Sequence, residues 1–275
     1  EAHEGAEVIW LPVGQDGVVD LAALAEVLAT RADQVALISL MWGNNETGVI
    51  TDIREVCDIA APFGVPVHSD AVAALGHVAI DFAASGLAAM SITGHKVGSP
   101  VGTGALILAR AWQLTSLIHG GGQERGLRSG TMNYSGALAF AHAVELSIAE
   151  HDEFVSHTSA LTAKIKAAVL QIEGARFNIE TAPGMPHNSH FLFSGLKSDA
   201  LLFLLDEQGI AVSAGSACQA GVARPSHVLL AMGRDELEAS GCLRVTIGLE
   251  TTEAEIDRFL AVLPAAVAQA RAAIH

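Results

Sequence analysis

The sequence predicts an α/β protein: a three-layer large domain on a mainly parallel central sheet, followed by a smaller α+β C-terminal domain. Two observations carry this. Short apolar, β-rich runs alternate with helical patterns through the first half of the chain, as in a parallel sheet with crossover helices. After Tyr134 the alternation gives way to two long helical patterns and then to mixed strands and helices. The division is expected near residue 150, with a large domain over 1–150 and a small one over 151–275.

Residues 8–11 and 35–42 read as buried strands. Between them Asp20 is placed to cap a helix through Ala29, with Leu21, Leu24, Val27 and Leu28 on one face. Residues 53–61 predict a helix stopped near Gly64, and residues 65–69, 90–93 and 104–108 predict strands. Residues 135–151 and 158–173 predict long helices. Beyond them come a strand at 189–193, a helix at 200–208 and strands at 209–213 and 243–247. A last helix is expected from Thr252 through Ile274, because Thr252 and Glu255 fit a capping box; Pro264 is a candidate kink within it.

Composition narrows the function. Of 275 residues, 51% are hydrophobic and 16% charged, which describes a packed globular chain and not a disordered one. A formal charge of −15 is the opposite of what a phosphate backbone attracts, so no direct nucleic-acid partner is expected. No apolar run approaches the ~20 residues of a spanning helix. Glu1-Ala2-His3-Glu4 does not resemble a leader, so neither membrane nor export is expected. Cys57, Cys218 and Cys242 show no pairing or metal-ligand spacing, which favours a reducing cytoplasm. The twelve histidines show no ligand motif, so no metal site is expected.

Several short runs carry chemistry. Ser91-Ile92-Thr93-Gly94-His95-Lys96 ends an apolar strand in a hydroxyl, an imidazole and an amine, a compact site for an anion and a carbonyl. Val67-His68-Ser69-Asp70 ends another strand in an acid, although Asp70 alone reads more readily as a turn or cap residue. Asn44-Asn45-Glu46-Thr47-Gly48 is either a plain turn or an amide fixing a planar ligand beyond a strand. The glycine-dense run 119–131 places Arg125, Arg128 and Thr131 on a backbone shaped for close approach. Ser213-Ala214-Gly215-Ser216-Ala217-Cys218 puts a thiol among residues too small to wall a core, so an accessible, mobile nucleophile is expected. Cys57 reads as core. Arg244, inside a strand pattern, needs a partner if buried, and a substrate carboxylate is one candidate. A Lys, an Asp and a Cys so placed suit pyridoxal phosphate: an amine for its aldehyde, a carboxylate for its ring nitrogen, and a thiol to attack what it activates.

Taken in order, these runs, with Pro225-Ser226-His227-Val228-Leu229 and the stretch from Arg244 to Thr252, resemble the cysteine desulfurases of the fold-type I, class-V aminotransferase-like enzymes. The interval from Cys218 to Pro225 resembles the subgroup with a long cysteine loop. The resemblance implies pyridoxal 5'-phosphate as cofactor, with Lys96 as the Schiff-base lysine and Asp70 as the ring-nitrogen partner. It implies Asn45 near the ring and substrate, Thr93 and His95 as phosphate ligands, and Thr131 reaching the phosphate of a neighbouring subunit in a homodimer. Arg244 would then bind the carboxylate of L-cysteine, and Cys218 would carry the persulfide to a sulfur-acceptor scaffold protein. Ala73 stands where the family has glutamine, and Thr93 where it has serine; the family's N-terminal phosphate loop and ring-stacking histidine have no counterpart in this sequence. Two alternatives stay open: another class-V activity, such as a selenocysteine lyase or an aminotransferase, and a chain that only dimerises or binds a partner.

Overall fold

The computed structural model describes residues 5–215 and 225–273. By internal contact the chain forms two units, one of Glu1–Arg31, Gly43–Thr51 and Glu153–His275, the other of Ala32–Trp42 and Asp52–Asp152. A single cut near 150 therefore describes only part of the division: the first helix and the turn after the first strand group with the C-terminal residues. The turn does so because its backbone bonds run there. Val49 bridges to Gly184, and the Ile50 N–H donates to the Pro183 carbonyl at 2.9 Å.

Residues 8–11 form no strand, and Val8, Ile9 and Trp10 are exposed. A β pattern becomes a strand only where a neighbour completes the ladder. Helix α1 (Leu21–Arg31) follows, with Asp20 Oδ1 accepting from the Ala22 and Ala23 N–H groups at 2.9 and 3.0 Å, and with Leu24 and Leu28 buried.

The second unit is built on β1 (Ile38–Met41), α2 (Ile53–Ala60), β2 (Val67–Asp70), α3 (Phe82–Ser85), β3 (Ala89–Thr93), β4 (Gly104–Leu108) and α4 (Tyr134–Ala149). Its sheet runs β1-β2-β3-β4, parallel across the first two pairings and antiparallel at β4. Helix α2 is capped by Asp52 and buries Ile53, Val56, Cys57 and Ala60; Gly64, at φ 67°, turns the chain towards β2. The register aligns Met41 with Asp70 and Asp70 with Ser91, so the carboxyl ends of three strands open along one edge.

In the first unit, α5 (His151–Val169), β5 (Ala175–Phe177), β6 (Asn188–Phe193), α6 (Ser198–Asp206), α7 (His227–Ala231), α8 (Glu236–Ser240), β7 (Cys242–Thr246) and α9 (Glu253–Ala272) surround an antiparallel sheet of order β5-β6-β7. Its core joins Ile165 and Val169 of α5, Phe191 and Phe193 of β6, Leu201 and Leu205 of α6, Leu243 of β7 and Leu263 of α9. The expected capping box at Thr252 and Glu255 is present, and Pro264 lies within α9. Residues 209–213 form no strand. The Ile210 N–H still bonds to the Leu205 carbonyl, closing α6, and Ser213 alone bridges to Arg244. Among the described residues no helix is long and apolar enough to cross a membrane.

Candidate active site

In the second unit, chemistry gathers where the parallel strands end. Asp70 closes β2 and Thr93 closes β3, and the ladder runs to their ends, with the Trp42 N–H donating to the Asp70 carbonyl at 2.8 Å and the Ala71 N–H to the Ser91 carbonyl at 2.9 Å. Open α/β sheets expose ligands beyond this edge, where side chains from neighbouring strands converge and no crossover covers them. Asp70 is half-buried. Its Oδ1 accepts from the Val72 N–H at 2.9 Å, and its Oδ2 takes no bond among the described residues. Directly after β3, one 3-10 turn carries Gly94, His95 and Lys96. The Thr93 hydroxyl donates to the Thr103 carbonyl at 3.1 Å and lies 2.9 Å from His95 Nδ1. A Cβ on Gly94 would sit 2.4 Å from Thr103 Oγ1 and 2.9 Å from Ser99 Oγ, so the turn is pressed close to the following loop and only glycine fits. Lys96 is exposed and its amine is uncommitted among the described residues. Thr131, also exposed, follows Gly130, whose N–H donates to Gln123 Oε1 at 3.0 Å.

The same sheet holds a residue to which the sequence assigned no role. His68 Nδ1 lies 2.9 Å from Ser39 Oγ and its Nε2 2.9 Å from Ser91 Oγ. This polar line crosses β1, β2 and β3 on the face that carries Asp70, because residues 68 and 70 alternate with the buried Ser69. The signal in the sequence was a polar residue in each of the three strands; the register that lines them up was not visible there.

In the first unit, the turn at Asn44–Gly48 holds a second cluster. Asn44 Oδ1 accepts from the Glu46 and Thr47 N–H groups, both at 2.9 Å, and Gly48 adopts φ 82° against the Asn188 side chain. The half-buried Asn45 offers its carbonyl to Arg244 Nη1 at 2.6 Å. Arg244 pairs across the β6–β7 ladder with His190, which is 0% exposed and has neither ring nitrogen hydrogen-bonded among the described residues. Burial, reinforced by the charge of Arg244, pushes the His190 pKa down to about 3, so the ring is neutral at pH 7.

That shift makes stability depend on pH. The unfolded imidazole binds a proton near pH 6.5 and the folded one only near 3, so stability is full above 6.5 and is lost as the pH falls towards 3. From pH 7 to pH 5 the loss is about 2 kcal/mol. Urea unfolding of the wild type and of His190→Phe at both pH values should differ by this amount in their pH dependence; equal slopes would remove the assignment.

The thiols separate by environment. Cys57 and Cys242 are buried, and burial is the leading cause that pushes both thiols up, away from the reactive thiolate. Cys218 lies outside the described residues.

Residues 1–259 match the aminotransferase class-V family. The IscS-like cysteine desulfurase of Mycobacterium tuberculosis is 48% identical over 273 residues, 98% of this chain and 69% of that protein. The chain belongs to the class-V aminotransferase family, among its cysteine desulfurases. The cysteine desulfurase NifS of Azotobacter vinelandii is 38% identical, over 98% of this chain and 67% of its own length. Among solved structures, the NifS-like protein from Rickettsia africae ESF-5 superposes with a TM-score of 0.86 at 30% identity, covering 93% of this chain and 68% of that one. SspA, solved in complex with cysteine, gives a TM-score of 0.72 at 28% identity, covering 90% and 68%.

Proposed function

We propose that this chain works with pyridoxal 5'-phosphate to convert L-cysteine to L-alanine, leaving the sulfur as a persulfide on Cys218. The observation that carries the reading is the meeting of Asp70, Thr93, His95 and Lys96 at the carboxyl edge of β2 and β3. These groups suit the cofactor: an uncommitted amine for its aldehyde, an open carboxylate oxygen for its ring nitrogen, and a hydroxyl beside an imidazole for its phosphate. Ala73, at 8% exposure, adds no hydrogen bond to this set.

When bound, the cofactor supplies an electron sink for the substrate's Cα. The residues do the rest. Lys96 Nζ would hold the cofactor covalently through its aldehyde. Asp70 Oδ2 keeps a proton on the ring nitrogen. Arg244 takes the substrate carboxylate as a planar fork, with the Asn45 carbonyl fixing one of its nitrogens and the Asn45 amide available to the ring and substrate. The Cys218 thiolate attacks the substrate sulfur; the Cβ–S bond breaks, Cβ takes a proton, and sulfur stays on Cys218 Sγ. Thr131 serves the phosphate of a second subunit in a homodimer. A scaffold protein presenting a thiolate, as in iron–sulfur cluster assembly, then removes the outer sulfur; this reading is supported by relatives named IscS and NifS. SspA, with cysteine bound, supports the substrate. We place the reaction in the cytoplasm, where thiols stay reduced.

Incubating the holoenzyme with L-cysteine should release one alanine for each sulfur atom added to the Cys218 peptide, read by mass spectrometry. Alanine without that mass gain would favour a different class-V activity. Asp70→Ala should weaken cofactor binding and lower turnover by on the order of a hundredfold, because a neutral ring is a poorer sink. An unchanged rate in this variant rules out the role.

A further inference from the structure

The turn that bears Asn45 also bears a carboxylate for which the reaction above has no use. Glu46 is 1% exposed. A buried carboxylate persists only where hydrogen bonds hold it. Its Oε2 accepts from Ser226 Oγ at 2.5 Å, and Ser226, 8% exposed, also caps α7 by accepting from the Leu229 N–H at 3.2 Å. Gly215 lies against the same oxygen: at φ 54°, a Cβ there would come 3.3 Å from Glu46 Oε2 and 3.7 Å from Ser226 Cβ. Two residues earlier, Ser213 exchanges both backbone hydrogen bonds with Arg244, at 3.1 and 2.6 Å. Glu46 is itself held, its N–H by Asn44 Oδ1 at 2.9 Å and its carbonyl by Asn188 Nδ2 at 3.4 Å. One carboxylate therefore hydrogen-bonds Ser226 and lies against Gly215, two points 11 positions apart in sequence that flank Cys218 on either side.

We propose that Glu46 is a positioning residue for Cys218, pinning both flanks of its segment to the turn that holds Arg244. The inference rests on the reading of Cys218 as the nucleophile. A tethered thiol reacts at a rate set by how much space its anchors let it explore, and fixing both anchors beside the residue that binds the substrate carboxylate raises its effective concentration at the substrate sulfur. The role needs an acceptor for the Ser226 hydroxyl, not a negative charge as such. Glutamine can supply that acceptor and alanine cannot.

The test compares Glu46→Ala, Glu46→Gln, Ser226→Ala and Ser226→Thr in the holoenzyme. Three quantities are read: hydrogen exchange of peptides covering 209–215 and 225–232, cysteine binding from the cofactor absorbance, and the single-turnover rate of persulfide formation on Cys218. Glu46→Ala and Ser226→Ala should speed exchange at both flanks and slow persulfide formation by on the order of tenfold or more, with cysteine binding within about twofold of wild type. Glu46→Gln and Ser226→Thr should keep most of the rate. Persulfide formation at the wild-type rate in Glu46→Ala, unchanged exchange at either flank, or equal loss in Glu46→Ala and Glu46→Gln would overturn the proposal. A wild-type holoenzyme that forms no persulfide on Cys218 refutes the desulfurase reading instead, and the exchange comparison then still decides whether Glu46 is the anchor.

Discussion

Lys96→Ala is expected to abolish the covalent cofactor adduct and to lower turnover by on the order of a thousandfold or more, with the fold unchanged. The structural reason for an intact fold is that Lys96 is exposed and its amine is uncommitted among the described residues, so truncation leaves nothing buried and unpaired. The chemical reason for the loss is that the other lysines are poor substitutes. Lys164 is held by Glu253 at 2.8 Å and Asp257 at 2.6 Å, Lys166 lies 4.0 Å over the Phe177 ring, and Lys197 stands at the start of α6. Borohydride reduction followed by peptide mapping checks this. A reducible adduct at any other lysine in the variant would show that Lys96 was wrongly assigned.

Cys218→Ser is expected to stop persulfide formation while cofactor loading and cysteine binding persist. A serine hydroxyl at neutral pH lacks both the ionisation and the nucleophilicity of a thiolate, and the loss should again be on the order of a thousandfold. The remaining thiols offer no bypass, since Cys57 is 5% and Cys242 3% exposed and burial pushes both up. The readouts are alanine release and sulfur-labelled peptides. Alanine produced at near wild-type rate by the serine variant would show that sulfur leaves by another route.

Much of this protein could be read without coordinates where the decisive interaction is local. Asp20 and Thr252 sit within a few residues of the N–H groups they cap, so these helix starts were legible. The helical period of residues 53–61 and its stop at Gly64 were legible for the same reason. The candidate residues Asp70, Thr93, His95 and Lys96 stood out because each ends a β-rich run or follows it within three positions, and the end of a strand is a property of the nearby chain.

What stayed hidden depends on partners far away in sequence. Residues 8–11 and 209–213 have strand-like composition, yet a strand exists only where another backbone completes its ladder. The antiparallel setting of β4 and the short β5 likewise depend on pairing rather than on composition. The line Ser39–His68–Ser91 needed a three-strand register. By itself, then, the sequence determined the class of fold, the helix caps and the residues able to do chemistry, because propensity, capping and residue type act over one or two turns of chain. That Asn45 meets Arg244 across 199 positions, and Glu46 meets Ser226 across 180, came from the folded chain alone. Hydrogen bonds act over ångströms and carry no record of sequence separation, so nothing in residue spacing announces them.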